Sequence, residues 1–496
     1  MGKGVPTDKY ITMIRTALSR LAKGSFIYGV GGMLQRFIAL LLLPLFTKEL
    51  SPEDYGVVTL ISLVGIAMSG VLTLGTANSM GLLYFREINR QKRPTIIWTN
   101  LFLMTINGGL WLIVLYLCSP SLSRWMFQTE QFADLIRLGF IGNVFITITD
   151  PFLAYLRMEE KAKQYMVLTV LGALFTISLS IYLVLWIKLG VFGLIMAGAI
   201  GSALNLGLIG VLVGRRVPFG YNPRLIIPLV RIGFPSIFGL FAFLLIDYAD
   251  RQMIERMIGL SNLGVYSVGY SFGIVMAIAV GAFSTAWPPF FMSFAQKREE
   301  AREVFAQVLN YYIIFFGGLI LIFYLGAKPL VLLITDTAFH ESWVVIGLVA
   351  ASYAFKGCYL ILLPGIYFAD KLGRQSVIEW IAAIINIALN FWLIPIYGIM
   401  GAALATFASY STLPLLAWVM ARQYLEVNYQ WRRIFINISL IVICILGIQQ
   451  IAYSSIKLTT KDITFSSAIL LVYFTLAYRF LLNENERDFI LIKLKA

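Results

Sequence analysis

Two cations stand where hydrocarbon is expected. Arg36 interrupts the apolar run GSFIYGVGGMLQRFIALLLLPLF (Gly24–Phe46), and Lys356 interrupts WVVIGLVAASYAFKGCYLILLPGIYF (Trp343–Phe368). Each lies roughly ten residues from either end of its run, so about 15 Å of helix separates it from both interfaces. A charge at the centre of a bilayer costs at least ~2.5–3.5 kcal/mol. A chain that keeps two of them either lines a wet, positively charged cavity or pairs them with carboxylates. A cationic cavity recognises anions: it holds phosphate or carboxylate through charge-assisted hydrogen bonds and makes no covalent bond.

The neighbours of these cations extend the reading. Ser352, Tyr353 and Tyr359 fall at i−4, i−3 and i+3 from Lys356, on one helical face, and read as cavity lining. Gly29 and Gly32 precede Arg36 at i−7 and i−4, which opens room for a ligand or for a closely packed helix. An ion pair of Arg36 with Asp150 or Glu379 is the alternative. Asn386 and Asn390 form a second stripe, open to cavity lining and to interhelical hydrogen bonding alike. Asp150 precedes Pro151, whose ring frees a backbone carbonyl. A carboxylate there can carry a coupling proton or sodium ion, or pair with an arginine. Asp247, Asp250 and Arg251 share a face at the end of the seventh run, where the i,i+4 spacing of Asp247 and Arg251 suits an interfacial salt bridge.

The elements that must position these groups are membrane spans. The chain has 496 residues, 59% hydrophobic and 13% charged, against about 25% charged in ordinary soluble domains. About fourteen apolar runs, from 24–46 to 463–482, are long enough to cross a ~30 Å hydrocarbon core. The connections are too short for a soluble domain. The net charge of +14 follows topology rather than a nucleic-acid surface. Basic residues gather before the first span and in every second loop, at Arg86–Arg93, Arg157–Lys163, Arg215–Arg231, Lys297–Arg302 and Arg422–Arg433. The positive-inside rule then places both termini in the cytoplasm. Residues 1–23 read as an amphipathic helix on the cytoplasmic face, where anionic lipids attract them.

Several functions are excluded. One histidine, His340, and three dispersed cysteines, Cys118, Cys358 and Cys444, give no metal spacing and no disulfide framework. No cofactor is expected. There is no Walker, GxSxG or HExxH sequence, and the outer loops are too short to house a polymerase or glycosyltransferase site. The chain reads as a non-enzyme, with a membrane glycosyltransferase or polymerase as the alternative of a different class.

The sequence also repeats. Shifted by one repeat length, Gly190 falls on Gly398, Gly193 on Gly401, Val57 on Val265 and Lys163 on Lys371. The spans stay in register, about six per repeat, so the halves run parallel, as in transporters that hold cargo between two halves and rock them. The resulting organisation is a 1–23 segment, an N-lobe over 24–213, a connector over 214–228, a C-lobe over 229–420, and two further spans with a tail over 421–496.

KGSFIYGVGGMLQRF followed by LSPEDYGVVTLISLV (Leu50–Val64) resembles the start of polysaccharide flippases of the multidrug/oligosaccharidyl-lipid/polysaccharide exporter superfamily. DYADRQMIERMIGLSNLGVYSVGYSFG (Asp247–Gly273), with its Asp250-Arg251 pair and LGVYS, resembles their seventh-to-eighth span signature. LGVFGLIMAGAIGSAL and YGIMGAALATFASY are similar to their paired sixth and twelfth spans. The resemblance implies an all-α polytopic fold with two six-helix lobes in a V shape. It implies a bacterial inner-membrane flippase that moves undecaprenyl-pyrophosphate-linked oligosaccharide outward by alternating access, for O-antigen, lipopolysaccharide or other surface polysaccharide. Arg36 and Lys356 would meet pyrophosphate or acidic sugars, Tyr353, Tyr359 and Asn390 would contact sugar, and Asp150 or Asp247 would couple transport to a proton or sodium gradient. Polysaccharide polymerase and assembly proteins are the implied partners. A lipid II or drug exporter of the superfamily is the alternative within the class.

Overall fold

A backbone crossing hydrocarbon must satisfy its own N–H and C=O groups, and a helix does so within each segment. The computed structural model describes residues 42–159, 161–292, 294, 298–369, 371, 373–454 and 460–481. Every regular element among them is helical, and ten helical segments there are long and apolar enough to cross a membrane. Arg36 lies outside the described residues. The chain divides into two compact units, one ending at Glu255 and the other beginning at Arg256.

In the first unit, α1 (Pro52–Thr73) starts from a reciprocal cap. Asp54 N donates to Ser51 Oγ (3.2 Å) and Ser51 N donates to Asp54 Oδ2 (2.8 Å), satisfying donors that the first helical turn leaves open. Two left-handed residues, Leu74 (φ 49°) and Gly75 (φ 67°), break the helix before α2 (Thr76–Arg86). The bundle continues with α3 (Arg93–Phe127), α4 (Ala133–Met158), α5 (Ala162–Ile181) and α6 (Gly190–Leu212). A π turn over Tyr182–Trp186 extends α5. α4 packs against α3, α6 and α1.

The connector then laps over the start of α3. Trp98 Nε1 donates to Val217 O (3.1 Å), and Asn222 N donates to Thr99 Oγ1 (3.1 Å). The short α7 (Ile226–Gly233) packs on α2, where Ser79 Oγ donates to Leu229 O (2.7 Å). A Cβ at Gly233 would lie 2.7 Å from the Gly75 backbone, so this contact requires glycine. Met80, Tyr84, Ile97, Phe152, Ile209 and Leu229 form the core at this end. α8 (Pro235–Ile258) carries the chain from the first unit to the second.

The second unit contains α9 (Leu260–Gly273), α10 (Val275–Met292), α11 (Arg298–Ile334), α12 (Trp343–Leu362), α13 (Pro364–Phe368) and α14 (Gly373–Ala421). α11 has 37 residues, about 55 Å of helix, and so runs past the bilayer at its REEAREVF start. α14 is a hairpin of two spans, because Ser409 Oγ on one arm donates to Ala382 O on the other (2.6 Å). α15 (Trp431–Ser454) and α16 (Thr460–Leu481) pack on α11. There the Tyr473 hydroxyl lies 3.1 Å from Ile314 O and 3.0 Å from Asn437 Oδ1.

The sequence repeat has a structural counterpart. Gly190, between α5 and α6, has φ 54°, and Gly398, at the bend of α14, has φ 58°. No heavy atom lies within 4 Å of the Cβ position at either glycine, so backbone conformation alone demands it. Three residues later, a Cβ at Gly193 would meet Leu183 O at 3.1 Å, and one at Gly401 would meet the Leu393 carbonyl carbon at 2.5 Å. The two repeat-matched glycines thus share a positive φ, and each is followed three residues later by a tightly packed glycine.

Candidate functional site

In the second unit, Lys356 lies on α12 with its ammonium 5.9 Å from the Tyr353 ring centroid and 5.6 Å from that of Tyr410 on α14. Both are cation–π distances, each worth about 0.5–2 kcal/mol depending on desolvation. Tyr353 is fixed in turn, its hydroxyl 2.9 Å from that of Tyr270 on α9. Lys356 is half-buried while Tyr410 is fully buried, so the cation rests on an aromatic floor.

Behind it lies an acid. Tyr359 donates to Glu379 Oε1 (3.0 Å), and Gln375 Nε2 donates to the same oxygen (3.0 Å). Glu379 is 5% exposed and within Coulombic reach of Lys356. Sequence reasoning named Glu379 as an alternative partner for Arg36; the structure brings it to Tyr359 and the Lys356 neighbourhood. Tyr359 itself is buried. Asn386 and Asn390 are also buried, joined within one arm of α14 by Asn390 Nδ2 donating to Asn386 O and Oδ1 (2.9 Å each). Of the expected sugar contacts in this unit, Tyr353 lies beside the cation, Tyr359 bonds to Glu379 and Asn390 to Asn386, and all three are buried.

The first unit holds a cavity of about 630 Å³ between α1, α4, α5 and α6. Its lining combines apolar side chains with Asn143, Tyr165, Thr169, Thr176, Ser202 and Asn205. Asp150 lies on the same stripe of α4 as the lining residues Asn143, Ile146 and Leu153. Its Oδ1 is 3.2 Å from Arg157 Nη2, and the Arg157 guanidinium lies 5.6 Å from the Tyr165 ring centroid. The arginine partner foreseen as one option for Asp150 is therefore present, one helical stripe from a cavity that the sequence did not reveal.

Asp250 and Arg251 form a buried pair on α8, with Oδ1 to Nη1 at 3.2 Å and exposures of 0% and 8%. The i,i+4 spacing suggested Asp247 as the partner; the side chain of Asp247 lies outside the described part of the structure. Nearby, Gln252 Nε2 donates to Glu255 Oε2 (3.1 Å) and to Met126 O (3.4 Å). Removing one member of such a buried pair costs far more than the pair contributes.

Comparisons with known proteins fit this architecture. The family model described as polysaccharide biosynthesis protein matches residues 21–295, more than half of the chain. Protein 1 of the Lsg locus of Haemophilus influenzae is 24% identical over 424 residues, covering 81% of this chain and 98% of that protein. Among solved structures, the lipid II flippase MurJ in an inward closed conformation superposes with a TM-score of 0.69 at 13% identity, over 93% of this chain and 99% of its own. An inward-facing MATE-family multidrug resistance transporter of the MOP superfamily gives 0.64 at 14% identity, over 86% and 96%. These likenesses establish an all-α transporter fold.

Proposed function

Because the chain belongs to the polysaccharide biosynthesis protein family, we propose that it flips undecaprenyl-pyrophosphate-linked oligosaccharide across the bacterial inner membrane by alternating access. The observation that carries this reading is Lys356: a cation near the middle of a membrane helix, held over two tyrosine rings. An ammonium held in place over buried rings suits a cargo that joins phosphate to sugar, since it answers the anion through charge-assisted hydrogen bonds. Arg36 supplies the second cation of the same chemistry. A cationic-drug exporter of the same fold would need carboxylates in place of these two groups.

Both termini and the Arg215–Arg224 connector face the cytoplasm in this reading, as the basic loops require. Asp150 is a coupling group, its carboxylate exchanging Arg157 for a proton or sodium ion as the transporter cycles, and Asp247 is the second candidate. The MurJ-like fold favours lipid II as the one competing cargo. Proteoliposomes containing the purified chain separate these cargoes. Fluorescent undecaprenyl-pyrophosphate oligosaccharide should become accessible to an external quencher faster than in protein-free vesicles, and faster than labelled lipid II. Preference for lipid II would replace this reading with the competing one.

A further inference from the structure

We propose that the cavity of the first unit is a subsite for an uncharged sugar ring of the lipid-linked cargo, read through hydrogen bonds to neutral side chains. This rests on the flippase reading above and specifies the chemistry of one part of the cargo. At about 630 Å³ the cavity falls within the ~300–1,000 Å³ range of small-ligand pockets.

Its room is not a by-product of helix packing. Gly139, Gly142 and Gly172 each have a packing reason: a Cβ there would meet Ile61 Cγ2 at 2.7 Å, Ala199 Cα at 3.1 Å and Asn205 Oδ1 at 2.6 Å. Gly198 has none. It lines the cavity in the middle of α6, yet no heavy atom lies within 4 Å of its Cβ position. Glycine destabilises a helix interior relative to alanine, and here the missing side chain keeps space open.

The polar side chains, Ser62 among them, are neutral and offer both donors and acceptors. Thr169, Thr176 and Ser202 donate their hydroxyl hydrogens to carbonyls of their own helices, at Tyr165 O (2.9 Å), Gly172 O (3.0 Å) and Gly198 O (2.7 Å). Asn143 Nδ2 donates likewise to Gly139 O (3.0 Å). The lone pairs of those hydroxyls remain for a ligand. Asn205 Oδ1 is buried without a hydrogen-bond partner among the described residues. No lining side chain is charged. A carboxylate or phosphate would meet no cation, whereas sugar hydroxyls and acetamido groups would both donate to and accept from these neutral side chains. A lipid chain would leave every one of them unmatched.

The test uses the full chain in lipid nanodiscs, with Cys118, Cys358 and Cys444 replaced by alanine and Gly198→Cys as a reporter. A water-soluble methanethiosulfonate labels the reporter in the presence of chitotriose, which is neutral and acetamido-bearing, or of trigalacturonate, which is anionic. Chitotriose should slow labelling about fivefold, as a site four-fifths occupied requires, and trigalacturonate should leave the rate unchanged. Adding Asn205→Leu should remove most of the chitotriose protection. Equal protection by both sugars, a reporter that never reacts, or labelling blocked by lipid without sugar each overturns the proposal. Flipping by the unsubstituted chain is measured in parallel. Intact flipping without chitotriose protection defeats the subsite alone, and protection without flipping defeats the flippase reading alone.

Discussion

Lys356 and Tyr410 come from different helices and meet with the ammonium 5.6 Å from the ring centroid. The ring is the floor on which the cation rests, which predicts a graded response at position 410. Tyr410→Phe keeps the π face and should lose less stability than Tyr410→Leu while retaining flipping. Tyr410→Leu removes that face and should lower thermal stability by about 0.5–2 kcal/mol for the cation–π contact, beyond any packing loss. Melting curves of the two variants in detergent check this, and identical losses in both would show that the hydroxyl, not the ring, matters.

Gly398 and Gly190 should behave alike because both hold a positive φ with open space at the Cβ position. An alanine at either is forced into a left-handed conformation at a cost of about 1–2 kcal/mol, although nothing lies close enough to clash with it. Gly198→Ala is the control. Its backbone is helical and its Cβ meets nothing, so the variant should gain about 0.5–1 kcal/mol. Denaturation of the three variants should give two losses and one gain.

Tyr359 should matter through Glu379. Tyr359→Phe removes one of two donors to a buried carboxylate, a loss of about 1–3 kcal/mol. Glu379→Gln in the same background should restore part of that stability, because an amide tolerates the missing donor better than a charge. An additive double variant would separate the two residues.

Much of this architecture was legible in the sequence, for physical reasons. Spans are forced by the hydrocarbon thickness, so the run 343–368 reappears as α12–α13 and the runs 376–394 and 398–420 as the two arms of α14. The matched glycines were visible because a positive φ favours glycine, most of all with the ψ of −136° at Gly398. The break at Leu74 was not, since leucine gives no sign of a left-handed backbone. Helical spacing put Ser352, Tyr353 and Tyr359 on one face with Lys356, but sequence spacing cannot tell which side chains a neighbouring helix covers. Tyr359 and Asn390 proved to be interior, and Tyr410 and Tyr270, on other helices, were missed. The cavity of the first unit was hidden because its polar atoms come singly from several helices. The i,i+7 spacing of Thr169 and Thr176 was the signal available.

Charge exchange at Asp150 makes a separate prediction. Asp150→Asn strands the Arg157 guanidinium that now sits 3.2 Å away. If this carboxylate couples transport, the variant should flip cargo at a rate indifferent to an imposed proton or sodium gradient, while the unsubstituted chain responds to one of them. A retained gradient response would assign Asp150 to scaffolding and leave Asp247 to be tested.

The central claim is that Lys356 meets the anionic part of a lipid-linked saccharide, and reconstituted flipping by Lys356 variants tests it most directly. Lys356→Ala should reconstitute as a folded protein and flip fluorescent undecaprenyl-pyrophosphate oligosaccharide about tenfold more slowly, equivalent to ~1.4 kcal/mol of lost interaction. Lys356→Arg should retain most of the rate, since charge and stacking on tyrosine both survive. Wild-type flipping by Lys356→Ala, in vesicles where the unsubstituted chain is active, would contradict the account.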